Sequence, residues 1–132
     1  MAKRGTNATS GLPRAAGPYS QCVRIGNLVA VSGQVGIRRE DGAPVGNGVA
    51  EQTAQALDNL RHALASQGAS EKDVIRVGVF LTDVRDFTAM NEVYGTFVTE
   101  PYPARTTVYV GLPPGLRVEI DALAVLSPGE EL

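Results

Sequence analysis

Between positions 103 and 124 the chain reads Pro-Ala-Arg-Thr-Thr-Val-Tyr-Val-Gly-Leu-Pro-Pro-Gly-Leu-Arg-Val-Glu-Ile-Asp-Ala-Leu-Ala, and this stretch restricts the fold more than any other. Residues 106–110 and 116–126 are rich in Val, Ile, Leu, Thr and Tyr, the composition of strands, and Gly111 to Gly115 supply a turn between them. The spacing predicts a β-hairpin. Alternation places Arg105, Thr107 and Tyr109 on one face and Val108 and Val110 on the other. On the returning strand Arg117, Glu119 and Asp121 share a face opposite Val118, Ile120 and Ala122. A loop with an odd number of residues makes the two polar faces coincide, with Tyr109 opposite Arg117, Thr107 opposite Glu119 and Arg105 opposite Asp121. An even loop sets Glu119 against Val108 on a face that should be core.

In the odd register a guanidinium, a hydroxyl and a carboxylate converge. Arg105 offers a planar fork of donors that matches a carboxylate bidentately, and Glu119 can accept a proton from water. A cross-strand salt bridge accounts for the same pattern, with Asp121 as the resting partner of Arg105.

A length of 132 residues suits a single domain, residues 1–132, with one core. Charged residues make up 20% and the net charge is −2, which gives no support to a nucleic-acid surface. One cysteine, Cys22, excludes an internal disulfide and reads as a buried structural thiol. No apolar run marks a signal peptide or a membrane span, so the cytoplasm or a similarly reducing compartment is the expected location. One histidine and one cysteine cannot make a common metal site. His62, among polar neighbours on a helix, reads as a surface residue.

Along the chain, residues 1–17 read as an extended, partly mobile lead-in. Residues 20–25 and 28–32 form a hairpin around Gly26-Asn27, and residues 34–48 a turn-rich loop. Ala50, Thr53, Ala54, Leu57, Leu60 and Leu64 recur at helical spacing, which predicts an amphipathic helix over 48–67 with Gly68 just past its end. Residues 74–81 read as a strand. A second helix is expected over 87–99, capped by Asp83 or Asp86, with Phe87, Met90, Tyr94 and Phe97 inward. The order β-β-α-β-α-β-β gives an α+β layer with two helices on one face of a mixed sheet. The other face, left bare, suggests a symmetric oligomer with clefts between subunits.

These segments also carry a resemblance. Gly17-Pro18-Tyr19-Ser20-Gln21, Val31-Ser32-Gly33-Gln34, Leu57-Asp58-Asn59-Leu60, Asp86-Phe87 with Asn91 and Tyr94, Pro103-Ala104-Arg105 and Val118-Glu119-Ile120 resemble, in order, the motifs of the RidA (reactive intermediate deaminase, YjgF-like) family. The resemblance implies a chorismate-mutase-like α+β fold and a homotrimer whose sheets line a central barrel, with three inter-subunit clefts. It implies hydrolysis of short 2-enamino or 2-imino acids, such as 2-aminoacrylate or 2-iminobutanoate, to the 2-oxo acid and ammonia. Arg105 would then clamp the substrate carboxylate, and Glu119 and Thr107 would hold the attacking water. Tyr19, Gly33 and Asn91 would shape the pocket, with Tyr19 and Gly33 open to coming from the neighbouring subunit. Thr107 stands where many relatives carry Cys, and the segment before Pro103 is shorter than in some members.

That chemistry needs no covalent nucleophile, metal or organic cofactor, because positioning the carboxylate and a water supplies most of the effect. Three alternatives stay open on sequence. They are a specialised catabolic deaminase of the 3-aminoacrylate or 2-aminomuconate type, a non-catalytic ligand-binding or regulatory trimer, and an endoribonuclease or translation inhibitor, which the acidic balance disfavours.

Overall fold

The computed structural model describes residues 4–6 and 15–127 of the chain. The elements run β1 (Cys22–Ile25), β2 (Leu28–Val35), α1 (Val49–Ser66), β3 (Val74–Leu81), α2 (Phe87–Tyr94), β4 (Ala104–Tyr109) and β5 (Val118–Val125). This is the expected β-β-α-β-α-β-β order. They form one five-stranded mixed sheet, ordered β1-β2-β5-β3-β4. β5 is antiparallel to both its neighbours, β2 and β3, whereas β4 runs parallel to β3.

The expected hairpin between the last two strands does not form: β3 lies between β4 and β5. Alternation fixes which residues share a face but says nothing of which strand is the neighbour. β5 is buried at every second residue and half-buried between, a pattern that suits the sheet centre. β4 is partly or wholly exposed along its length, as an edge strand is. The connection across 110–117 bridges this extra strand width. Val108 and Val110, expected on a core face, are therefore exposed.

Both helices cover the same face of the sheet. Leu57, Leu60 and Leu64 of α1 and Met90 of α2 are buried against Val29, Val77, Val79, Val118 and Ile120. Full burial of such a side chain contributes about 1.5–3 kcal/mol. The inward stripe of α1 differs from the expected one: Ala50 and Ala54 are exposed, and Gln52 and Asn59 are buried. Hydropathy hides this, because both buried amides are satisfied by backbone groups. Gln52 Nε2 donates to the carbonyls of Gly46 and Gly115, and its Oε1 accepts from Arg117 N–H. Asn59 Nδ2 donates to the carbonyls of Val35 and Ile37. α1 thus ties down the two long loops that lead out of β2 and into β5.

Glu51 Oε1 accepts from Gly48 N–H at 2.9 Å and closes the N-terminus of α1. Gly68, at φ +81, ends it as expected. α2 stops at Tyr94 rather than near residue 99, because the bonds from Thr96 and Phe97 close to Val93 and Tyr94, tighter than an α-helical turn. That turn brings Phe97 inward, while Phe87 is 37% exposed instead of buried. Asp83 caps the 3-10 turn Val84–Asp86 by accepting from Arg85 N–H. Asp86 makes no cap bond and instead pairs with Arg117, whose Nη2 lies 2.9 Å from Asp86 Oδ2.

β1 and β2 are joined at Gly26-Asn27 as expected, with Gly26 at φ +56. Most of the lead-in expected over residues 1–17 lies outside the described residues. Gly5 exchanges backbone hydrogen bonds with Arg24 at 2.8 and 2.9 Å. Among the described residues no helix is long and apolar enough to cross a membrane.

Candidate functional site

Arg105 sits on edge strand β4, in register with Val77 of β3, so its side chain lies on the helix-covered face. There α2 receives it. Phe87, Asn91 and Tyr94, spaced four and three residues apart, present one side of the helix to the guanidinium. Arg105 Nη1 donates to Asn91 Oδ1 at 2.7 Å. The guanidinium carbon lies 4.9 Å from the Tyr94 ring centroid and 5.7 Å from that of Phe87. Such cation–ring contacts contribute about 0.5–2 kcal/mol each and fix the orientation of the planar group. Among the described residues no carboxylate pairs with Arg105, and its Nε and Nη2 donors are unspent. A positive fork is thus held in place with one edge free for a planar anion.

Thr107, two residues on, shares this face in register with Val79. Its Oγ1 is buried and has no hydrogen-bond partner among the described residues, and the same holds for Tyr94 Oη. Buried hydroxyls without partners are uncommon and mark places where a water or ligand belongs.

Glu119 lies on the opposite face. It pairs with Phe80 of β3 and Val35 of β2, whereas the buried Ile120 points to the helices. β2 carries an extra residue between Val31 and Gln34, a bulge that contains Gly33. The Glu119 side chain lies directly across Gly33: a Cβ there would stand 2.5 Å from Glu119 Oε2 and 2.6 Å from Cδ. Glycine at 33 is what lets the carboxylate lie flat on the sheet. Burial pushes the Glu119 carboxyl above the usual carboxylate range, and the neighbouring Asp121 charge adds to this. Gly33→Ala is therefore expected to lift Glu119 out of place while the fold survives, since only a flexible side chain must move. Any activity that depends on the Glu119 carboxylate should fall about 100-fold, with an unchanged circular dichroism spectrum as the control.

Tyr19, 51% exposed, belongs to the segment leading into β1. Ser32 Oγ donates to Ser20 carbonyl oxygen at 2.6 Å and Gln34 Nε2 to Gln21 Oε1 at 2.9 Å, so this segment is fastened to the Gly33 bulge.

The six expected residues thus fall into two groups. Arg105, Asn91 and Thr107 share the α2 side of the sheet; Glu119, Gly33 and the Tyr19 segment go with β2 and β5. The juxtapositions of Thr107 with Glu119 and of Arg105 with Asp121 are absent, because β3 separates the strands and the two rows point to opposite faces. Asp121 accepts from Gly78 N–H at 3.0 Å instead, and its carboxyl is raised mainly by burial. Arg117 leaves the acidic row to bind Asp86.

The aromatic cradle of Phe87 and Tyr94 is the part sequence reasoning passed over, since both residues read as core. Their spacing around Asn91 was the available signal. Cys22 is fully buried, and burial pushes its thiol up to about 11, which suits an inert core residue. His62 is on the surface, 3.9 Å from Asp58. Among the described residues no three His, Cys, Asp or Glu side chains gather as a metal site.

The fold and its two groups of residues define an α+β subunit of the YjgF type, carrying a guanidinium fork on one face and a sheet-bound carboxylate on the other. The chain belongs to the RidA/YjgF family: residues 9–126 match the family described as Endoribonuclease L-PSP. It is 42% identical over 122 residues to a mouse protein named 2-iminobutanoate/2-iminopropanoate deaminase, covering 92% of this chain and 90% of that one. The crystal structure of RidA from Psychrobacter superposes with a TM-score of 0.87 at 39% identity, covering 92% of this chain and 99% of that one. E. coli TdcF with bound serine gives a TM-score of 0.84 at 36% identity, covering 92% and 98%.

Proposed function

We propose that the protein is a 2-iminobutanoate/2-iminopropanoate deaminase, working as a homotrimer whose clefts each join the Arg105 face of one subunit to the Glu119 face of the next. The observation that carries this reading is the oriented, unpaired guanidinium of Arg105. A fork held by an amide and two rings with one edge unspent suits the carboxylate of an imino acid. The names of the relatives support the chemistry, and the serine bound to TdcF is a ligand with such a carboxylate.

The split of the site supports the assembly. Arg105 and Glu119 cannot meet inside one subunit, and the open sheet face carries apolar Leu28 and Val108, 46% and 38% exposed, around its two carboxylates. A second copy laid on that face would cover the apolar groups and bring a Glu119 toward an Arg105.

In the cleft, Arg105 holds the substrate carboxylate and thereby fixes the imine carbon. A water held by Glu119 and Thr107 adds to that carbon. Glu119 accepts one proton of the water and passes it to nitrogen; the second follows from the added hydroxyl as the carbonyl forms and the carbon–nitrogen bond breaks, so that ammonia leaves and a 2-oxo acid remains. No electrons change hands and no enzyme bond forms. A carboxyl whose pKa is raised can give up and retake a proton closer to neutrality than an ordinary one. Hydrolysis of RNA gains no comparable support, since the net charge is −2 and the acidic pair Glu119 and Asp121 would repel phosphates.

The test is a coupled one. Added to a serine or threonine dehydratase reaction, the protein is expected to speed the appearance of pyruvate or 2-oxobutanoate and to reduce semicarbazide trapping of the imine. An unchanged rate at stoichiometric protein would refute the deaminase reading.

A further inference from the structure

Asp86 stands directly before Phe87, where α2 begins. A carboxylate at that position ordinarily caps the helix by accepting from its free N–H groups, but here no side-chain bond closes the helix start. Both oxygens turn to Arg117 instead: Oδ2 accepts from Nε and Oδ1 from Nη2, each at 3.1 Å. A two-pronged pair of this kind fixes direction as well as distance.

Arg117 is a firm post for it. Its N–H donates to Gln52 Oε1 at 2.8 Å and its carbonyl accepts from Thr82 N–H at 3.2 Å. Its Nη1 donates to the Asn47 carbonyl at 3.3 Å. Arg117 is therefore held by α1, by the chain leaving β3 and by the loop before α1. Among the described residues, the hydrogen bonds that join residues 82–86 to the chain beyond α2 all end on Arg117. Apolar burial gives this end of the helix little help. Between Leu81 and Met90, Asp86 alone is buried; Phe87 and Thr88 are exposed and Ala89 is half-buried. Met90 and Tyr94 press only the later part of α2 into the core.

The loosely packed first turn carries Phe87, and the next turn Asn91, two of the three side chains that orient the Arg105 guanidinium. We infer that the Asp86–Arg117 pair is a positioning device: it sets where the start of α2 lies on the sheet and, through Phe87 and Asn91, aims the fork of Arg105. The inference rests on the deaminase reading and on Arg105 as the clamp. With the pair broken, the first turn is free to shift. A displacement of about 1 Å at the clamp is enough to cost up to about 100-fold in rate. A pair that served stability alone would be indifferent to the side chain at position 105, and that difference can be measured.

Imine hydrolysis is read in the dehydratase-coupled assay, at a temperature where melting curves show each variant folded. Asp86→Asn keeps the shape of the side chain and removes its charge, and Arg117→Gln breaks the pair from the other end; each should lower kcat/KM about tenfold. Arg117→Lys restores a cation opposite Asp86 and should stay within about threefold of wild type. The deciding measurement places Asp86→Asn on Arg105→Lys, which has no planar fork to aim. There the substitution should cost less than about twofold, a coupling of at least about fivefold between the two sites. Should Asp86→Asn not fold, Arg117→Gln takes its place in the cycle. An equal loss in both backgrounds, or wild-type rates for both Asp86→Asn and Arg117→Gln, overturns the inference while the deaminase reading stands. A wild-type protein that speeds no imine hydrolysis overturns both.

Discussion

Arg105→Ala is expected to abolish the protein's effect in the dehydratase-coupled assay, lowering kcat/KM by at least about 100-fold. The size follows from what the side chain does. It is the one cation on the α2 side of the sheet that is oriented by an amide and two rings yet unpaired with any carboxylate among the described residues. In the proposed reaction its loss would remove both the charge and the geometry that fix the imine carbon in front of water. Because no ion pair is broken, the stability lost should be confined to the Asn91 bond and the two ring contacts, the rings together contributing about 1–4 kcal/mol, read as a fall in melting temperature. Arg105→Lys separates the two contributions. A lysine keeps the charge but loses the planar fork and the match to the rings, so its activity should lie between alanine and wild type. Equal rates for all three proteins would show that the carboxylate is gripped elsewhere.

The sequence conveyed element order well and neighbour relations poorly, for a physical reason. Helix and strand periods are local, so α1, β3 and the Gly26-Asn27 turn could be placed from spacing alone. Strand pairing is not local. Residues 111–115 look like a hairpin turn, with Gly115 at φ +87 as a turn requires, yet the chain passes over β3 before pairing. That one difference turned an expected single polar face into two half-sites on opposite faces. The candidate pocket residues Tyr19, Gly33 and Asn91 came from the family resemblance and not from spacing; the proximity of Asn91 to Arg105 and of Gly33 to Glu119 was not expected from either. Buried Gln52 and Asn59 were illegible because their partners are backbone carbonyls brought in by distant loops.

Mixing two inactive variants should restore activity, and this is the strongest consequence of the divided site. Arg105→Ala lacks the clamp; Glu119→Gln keeps its shape but cannot take the proton, and alone it should lose about 100- to 10,000-fold. If each cleft takes Arg105 from one subunit and Glu119 from its neighbour, a cleft works when the first is a Glu119→Gln chain and the second an Arg105→Ala chain. Co-refolding equal amounts and random assembly then leave about a quarter of the clefts intact, whatever the number of subunits in a closed ring. Recovery should reach that fraction of wild-type turnover and vanish when the variants are mixed without subunit exchange. A chain carrying both substitutions, co-refolded with wild type, gives the converse, since it spoils two clefts per copy. No recovery in mixed, properly assembled oligomers would place both groups in one subunit's site. The opposing directions of Arg105 and Glu119 about β3 leave no route to that within the fold.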